Sequence, residues 1–160
     1  MKRELIPSWE ELEQHRKIVP EIKPAAVIAM LEIKQVGEDI QHGIMDVLQQ
    51  EYHVSEGKFC MLILLHQNPE GIAPSTIATK LGVTKATVSN MLVRMERDGL
   101  VVEKPSPDDA RAKRICLTQD GRDFMNETLP PHYLRVTKLT EKLSEEEQHE
   151  LIRLLKKLSG

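Results

Sequence analysis

Five hydrogen-bonding side chains crowd one short stretch of the chain: Lys85, Thr87, Ser89, Asn90 and Arg94, within the segment KATVSNMLVRMER from Lys85 to Arg97. Together they make a set of donors and acceptors that matches the edges of base pairs and the oxygens of phosphates. An asparagine amide can bond bidentately to N6 and N7 of adenine, while Arg, Lys, Ser and Thr meet bases or backbone. Side chains spaced this way act together only on a helix, where positions three and four apart share a face. Val88, Met91, Leu92 and Met95 supply the apolar stripe of such a helix. Asn90, Arg94 and Arg97 then point the other way, with Lys85, Thr87 and Ser89 on the flanks. For Thr87 and Ser89, phosphate contact or plain exposure is as good a reading as base contact.

The neighbouring residues are those needed to hold that helix in place. Thr84 suits its N-cap, and Asp98-Gly99 ends it. Upstream, Pro74 fits the first turn of a preceding helix, and Ile77, Ala78 and Leu81 recur at helical spacing. Gly82 can take the left-handed conformation that closes it. The small Ala78 lets the two helices approach, and Val83 and Val88 are expected to fill the space between them. Helix, tight glycine turn, helix is the layout of a helix-turn-helix, whose second helix enters the major groove of DNA. Ser75, near the start of the first helix, joins the candidate contacts. An ordinary helical hairpin in a globular core is the competing reading. Leu100 to Lys104 reads as a strand, Pro105 to Asp109 as a turn and Lys113 to Thr118 as the return strand. A hairpin directly after a helix-turn-helix is a wing.

These segments resemble the MarR family of bacterial transcription regulators. Asp109-Ala110-Arg111 followed by Ile115-Cys116-Leu117-Thr118-Gln119-Asp120-Gly121 is similar to that family's wing and exit. Met95-Glu96-Arg97-Asp98-Gly99-Leu100-Val101 is similar to the end of its recognition helix. The likeness keeps register from about Val54 to Arg122 and is looser over the flanking helices.

It implies a mainly α fold with a small β-hairpin wing, in which a winged helix-turn-helix is joined to N- and C-terminal dimerisation helices. The whole of 1–160 would form one unit: 1–52 N-terminal helices, 54–118 the winged part with its wing at about 100–118, and 119–160 C-terminal helices. The function so implied is that of a homodimeric, sequence-specific DNA-binding regulator. The two-fold symmetry of the dimer calls for an inverted-repeat operator with half-sites about 10 bp apart. Arg111 resembles the wing-tip arginine that enters a narrow minor groove, and Asp109 the acid that holds it. Lys113, with Lys104 and Arg114, touches phosphates or simply solvates the hairpin. Many relatives carry Arg near position 90, so the Asn here separates this chain from any borrowed operator sequence.

Members of the family are usually repressors that release DNA when a small, often anionic or lipophilic molecule binds between the dimer helices and the wing domain. By that resemblance, the effector would meet His42 and Met45 of the first long helix and Phe59 and Ile63 of the central one. Read without it, Met45, Phe59 and Ile63 are core residues and His42 is exposed.

Composition sets the outer bounds. Hydrophobic residues make up 40% of the chain and charged residues 29%, as in ordinary globular proteins, whereas aromatics are only 3%. Aliphatic and Met packing must therefore dominate. No apolar run reaches the roughly 18 residues of a membrane span, and the N-terminus lacks the apolar core of a signal peptide. A cytoplasmic location is expected.

The net charge is −3, but eight Lys and Arg face five Asp and Glu between Ile72 and Thr118, a local +3 on a body of −6. A basic reader on an acidic body fits binding of DNA through one face. Neither catalysis nor a cofactor is expected. The six histidines form no close pair of metal-ligand spacing, and no P-loop, nucleophile elbow or dinucleotide glycine pattern occurs. A metal- or redox-responsive regulator of the same fold is the alternative. Its nearest metal pair is His42 with Glu38, and its thiols would be Cys60 and Cys116, both expected to be buried and free.

The rest of the chain is read as helices. Ser8 with Glu11 is a capping box for a short helix to about Val19, stopped by Pro20 and Pro24. Ala25 to Gln50 is a long helix with Ile33, Val36, Ile40, Ile44, Val47 and Leu48 on one stripe. Ser55 caps a central buried helix over Lys58 to Gln67. Thr118 caps a helix to about Thr128, which Leu129-Pro130-Pro131 breaks or kinks before a further segment over His132 to Lys142. Ser144 opens a last helix whose Leu151, Leu154, Leu155 and Leu158 exceed what one helix can hide, and which is assigned to the dimer interface with the first long helix.

Overall fold

The computed structural model describes residues 6–106 and 112–160, which fall into two units, Met1–Val47 and Leu48–Gly160. In the first, the Ser8 hydroxyl accepts the Glu11 N–H and the Glu11 carboxylate accepts the Ser8 N–H at 2.7 Å. This reciprocal cap starts α1 (Trp9–Ile18), which buries Leu12. Pro24 then opens α2 (Pro24–Tyr52), which runs through Gly37 and Gly43 and crosses into the second unit. Its stripe is only partly covered: Ile33 and Val36 are exposed, while Leu48 is buried.

The second unit contains every remaining element. Ser55 caps α3 (Glu56–His66), whose Phe59, Met61, Leu62, Leu64 and Leu65 are buried. Two short helices follow, α4 (Pro74–Leu81) and α5 (Lys85–Arg97), then an antiparallel hairpin of β1 (Val101–Pro105) and β2 (Lys113–Leu117). Val101 pairs with Leu117 and Pro105 with Lys113. Ile72 adds a bridge to Ile115, its N–H and C=O both bonded there at 3.1 and 2.9 Å. Met61, Leu62, Leu65, Ile77, Val88, Met95, Ile115 and Met125 form the fully buried centre. Aliphatic and Met side chains make that centre, as an aromatic-poor sequence requires.

Two glycines permit close approach. A Cβ at Gly121 would collide with the Leu100 carbonyl oxygen, and one at Gly71 (φ +80°) with the Cys116 Sγ and Ile115 carbonyl. The chain closes with α6 (Gln119–Leu139) and α7 (Glu145–Ser159). A second capping box, Ser144 with Glu147, starts α7.

Three expectations are corrected. The helix begun at Thr118 does not end near Thr128: α6 runs unbroken through Pro130 and Pro131 to Leu139. The missing N–H groups remove two backbone bonds, but tertiary contacts on both sides of the prolines hold the helix. Phe124 meets the Tyr52 ring edge-on at 6.4 Å, and His132 meets Phe59 at 4.8 Å. The Arg135 guanidinium donates to the Tyr52 hydroxyl at 2.9 Å and pairs with the Glu51 carboxylate. Val83 does not fill the space between α4 and α5; it is exposed, and Ala78 and Val88 are buried there instead. Cys60 is exposed rather than buried, because the buried side of α3 is taken by its larger neighbours.

Candidate nucleic-acid interface

The α4–α5 turn places the polar face of α5 outward. Gly82 sits at φ 64°, ψ 31°, the left-handed conformation that a side chain disfavours, and ends α4. The Val83 N–H returns to the Ala78 carbonyl at 3.0 Å. Thr84 then caps α5, its oxygen accepting the Thr87 N–H at 3.1 Å and pairing with the Thr87 hydroxyl at 2.9 Å. Val88, Leu92 and Met95 anchor the inner face.

Lys85, Thr87, Ser89, Asn90 and Arg94 are all exposed, as is Ser75 at the start of α4. Two of these side chains are occupied locally: the Thr87 hydroxyl by Thr84, and the Ser89 hydroxyl, which donates to the Lys85 carbonyl at 3.1 Å. The side-chain polar groups of Lys85, Asn90 and Arg94 have no partner among the described residues. The positive end of the helix dipole and Lys85 coincide at one end of this face, which favours an anion there.

On the wing, Lys113 forms an ion pair with Glu103 at 2.6 Å, and that carboxylate raises the lysine's pKa above its ordinary value. Both groups are exposed, so the pair is open to exchange for a phosphate at little cost. The Arg114 guanidinium donates to the Ser106 hydroxyl at 3.1 Å. Asp109 and Arg111 lie outside the described residues.

The four effector candidates divide between the units. His42 and Met45 lie one turn apart on α2 in the first, exposed and half-buried in turn. Phe59 and Ile63 lie one turn apart on α3 in the second, buried and half-buried. Among the described residues, no three His, Cys, Asp or Glu side chains are grouped to hold a metal ion. No helix there is long and apolar enough to cross a membrane.

Sequence reasoning missed one contact of this region. The Lys58 ammonium, at the first turn of α3, donates to the Asp98 carboxylate at the end of α5 at 2.8 Å. This bond, more than the Arg97 contact at 3.6 Å, holds the Asp98 carboxyl below its usual range. Forty residues separate the partners, and no local pattern marks them.

A helix-turn-helix followed by an antiparallel hairpin is a winged helix, a class built to bind DNA. The family model described as MarR matches residues 54–112. The chain is 26% identical to the HTH-type transcriptional repressor YetL of Bacillus subtilis, over 97% of this chain and 93% of that protein. It is 30% identical to the HTH-type transcriptional regulator YkoM of the same organism, over 73% and 74%. Among solved structures, it superposes on MepR of S. aureus in its DNA complex with a TM-score of 0.68 and 25% identity, covering 78% of this chain and 94% of that one. The chain therefore belongs to the MarR family of DNA-binding transcriptional regulators, which are not enzymes.

Proposed function

We propose that this chain acts as a homodimeric repressor that reads an inverted-repeat operator with α5 and is released by a small-molecule effector. The observation that carries the reading is the outer face of α5. There Lys85, Asn90 and Arg94 are exposed and have no internal partner among the described residues, on a helix pinned from its other side by Val88, Leu92 and Met95. Polar groups left free on a rigid helix suit an external set of hydrogen bonds, because no internal bond has to be broken first. Asn90 reads adenine, and Lys85 and Arg94 meet phosphates or guanine. Ser75, Thr87, Ser89 and Lys113 position the backbone, while Arg111 and Asp109 of the wing serve the adjacent minor groove.

The dimer is supported by α7. Leu151, Ile152, Leu154, Leu155 and Leu158 are all exposed in the single chain, and α7 buries no residue. An apolar face of this size in water calls for a cover. YetL carries the word repressor in its name, and the same sign of regulation is proposed here. His42, Met45, Phe59 and Ile63 are the proposed effector contacts.

The test is a mobility-shift titration of the full chain on a duplex selected from a random pool, at salt between about 50 and 200 mM. Affinity should fall steeply with salt, because each neutralised phosphate releases counterions. A flat response would remove the basic face from the DNA contact.

A further inference from the structure

We infer that Lys58 and Asp98 form a latch that sets the tilt of α5 against α3, which makes them positioning residues for specific DNA binding. The inference rests on the reading of α5 as the groove helix. Lys58 is a lysine with a side chain only 18% exposed, a degree of covering that lysines rarely show unless paired. Its partner is placed against local helix preference. Asp98 is the C-cap of α5, where a carboxylate opposes the helix dipole and a cation would suit better. The Asp98-Gly99 turn suits the helix end, and the ammonium facing the carboxylate offsets its conflict with the dipole.

A second contact lies on the same side of α5. A Cβ at Gly57 would come within 3.3 Å of the Met91 Cε, so the α3 backbone passes close to Met91. Positions 91 and 98 are two turns apart, about 10 Å along the axis. Contacts so separated along α5 bear on its direction as well as its distance. The next residue, Phe59, is buried and meets His132 of α6 at 4.8 Å, so α6 in turn holds the turn of α3 that touches α5. A partly exposed ion pair adds little to global stability. Its effect is therefore expected in the fit of α5 to DNA rather than in the melting temperature.

The experiment measures the full chain on two duplexes of equal length, the best one recovered from a random pool and one of random sequence. Lys58→Met and Asp98→Ala should each weaken the selected duplex by about three- to tenfold and leave the random duplex and the melting temperature unchanged. The double variant should be no worse than either single one, since both remove the same bond. Lys58→Arg should retain selectivity. Equal losses on both duplexes, no loss on either, or additive losses in the double variant would overturn the latch. Should Lys58→Met fail to fold, Asp98→Ala decides alone. Asn90→Ala in the same assay separates the two claims. If it lowers selectivity and the latch variants do not, the latch fails and the groove helix stands. If it leaves selectivity untouched while the latch variants lower it, Asn90 is removed from base reading and the latch stands; if none of these variants lowers selectivity, the groove helix and the latch both fall.

Discussion

The Thr118 hydroxyl donates to the Gly99 carbonyl and accepts the Gly121 N–H at 3.0 Å. One side chain thus closes the end of α5, caps α6 and seals the base of the wing, where the Thr118 N–H also bonds the Leu100 carbonyl at 3.1 Å. Gly121 must be glycine for this to work, because the Leu100 carbonyl occupies the space of a Cβ. The end of α5, the base of the wing and the start of α6 are joined at this point.

Replacing Thr118 with Val keeps the shape and removes both bonds. The loss of a cap and of a partner for a part-buried carbonyl should cost about 2 kcal/mol, read as a lowered urea midpoint with an unchanged slope. A shift no larger than that of a surface substitution would show that the junction does not depend on this hydroxyl.

Pro130 and Pro131 interrupt the backbone ladder of a helix held by contacts on both sides of them. Pro130→Ala/Pro131→Ala should restore bonds to the Asn126 and Glu127 carbonyls. After allowance for the looser unfolded chain, the gain should be about 1–2 kcal/mol, seen as a raised melting temperature. A fall would show that the prolines set a bend that the Phe59 contact requires.

Burial, and to a lesser extent the Arg135 charge, lowers the His132 pKa from its ordinary 6.5. The unfolded chain therefore binds the proton more readily, and stability is lost as pH falls from above 6.5 through the folded pKa. His132→Gln should flatten that part of the stability curve. Equal pH dependence in both proteins, measured by denaturation between neutral and mildly acidic pH, would exclude His132 as its source.

Leu154 and Leu158 are exposed on α7. Leu154→Glu/Leu158→Glu should leave the helical circular dichroism intact and shift sedimentation from dimer to monomer at micromolar concentration. A wild-type chain that is already monomeric there would remove the paired-operator model.

Much of this fold is local, and so is legible in the sequence. Helix starts follow from Ser8, Ser55, Thr84, Thr118 and Ser144, each of which bonds an N–H three residues on. Gly82 ends α4 because its left-handed backbone is open to glycine. What escaped depends on residues far apart in the chain. The helix through Pro130 and Pro131 is decided by Tyr52 and Phe59 on other helices, and the exposure of Cys60 by which side of α3 the core selects. The Lys58–Asp98 bond and the Arg135 contacts with Glu51 and Tyr52 leave no periodic trace at all. At the candidate interface, the exposed face of α5 follows from its apolar stripe, whereas the pairing of Lys113 with Glu103 needs the register of two strands.

The central claim, that α5 reads DNA from a symmetric dimer, is tested most directly by selecting bound duplexes from a random pool with the wild-type chain and with Asn90→Ala. The wild type should recover an inverted repeat with half-sites about 10 bp apart. The variant should lose about 1–3 kcal/mol on that duplex and relax one position in each half-site. Arg111→Ala should instead weaken binding most where A·T-rich sequence flanks the repeat. Recovery of no repeat, or a loss for Asn90→Ala that is equal on every sequence, would contradict the account.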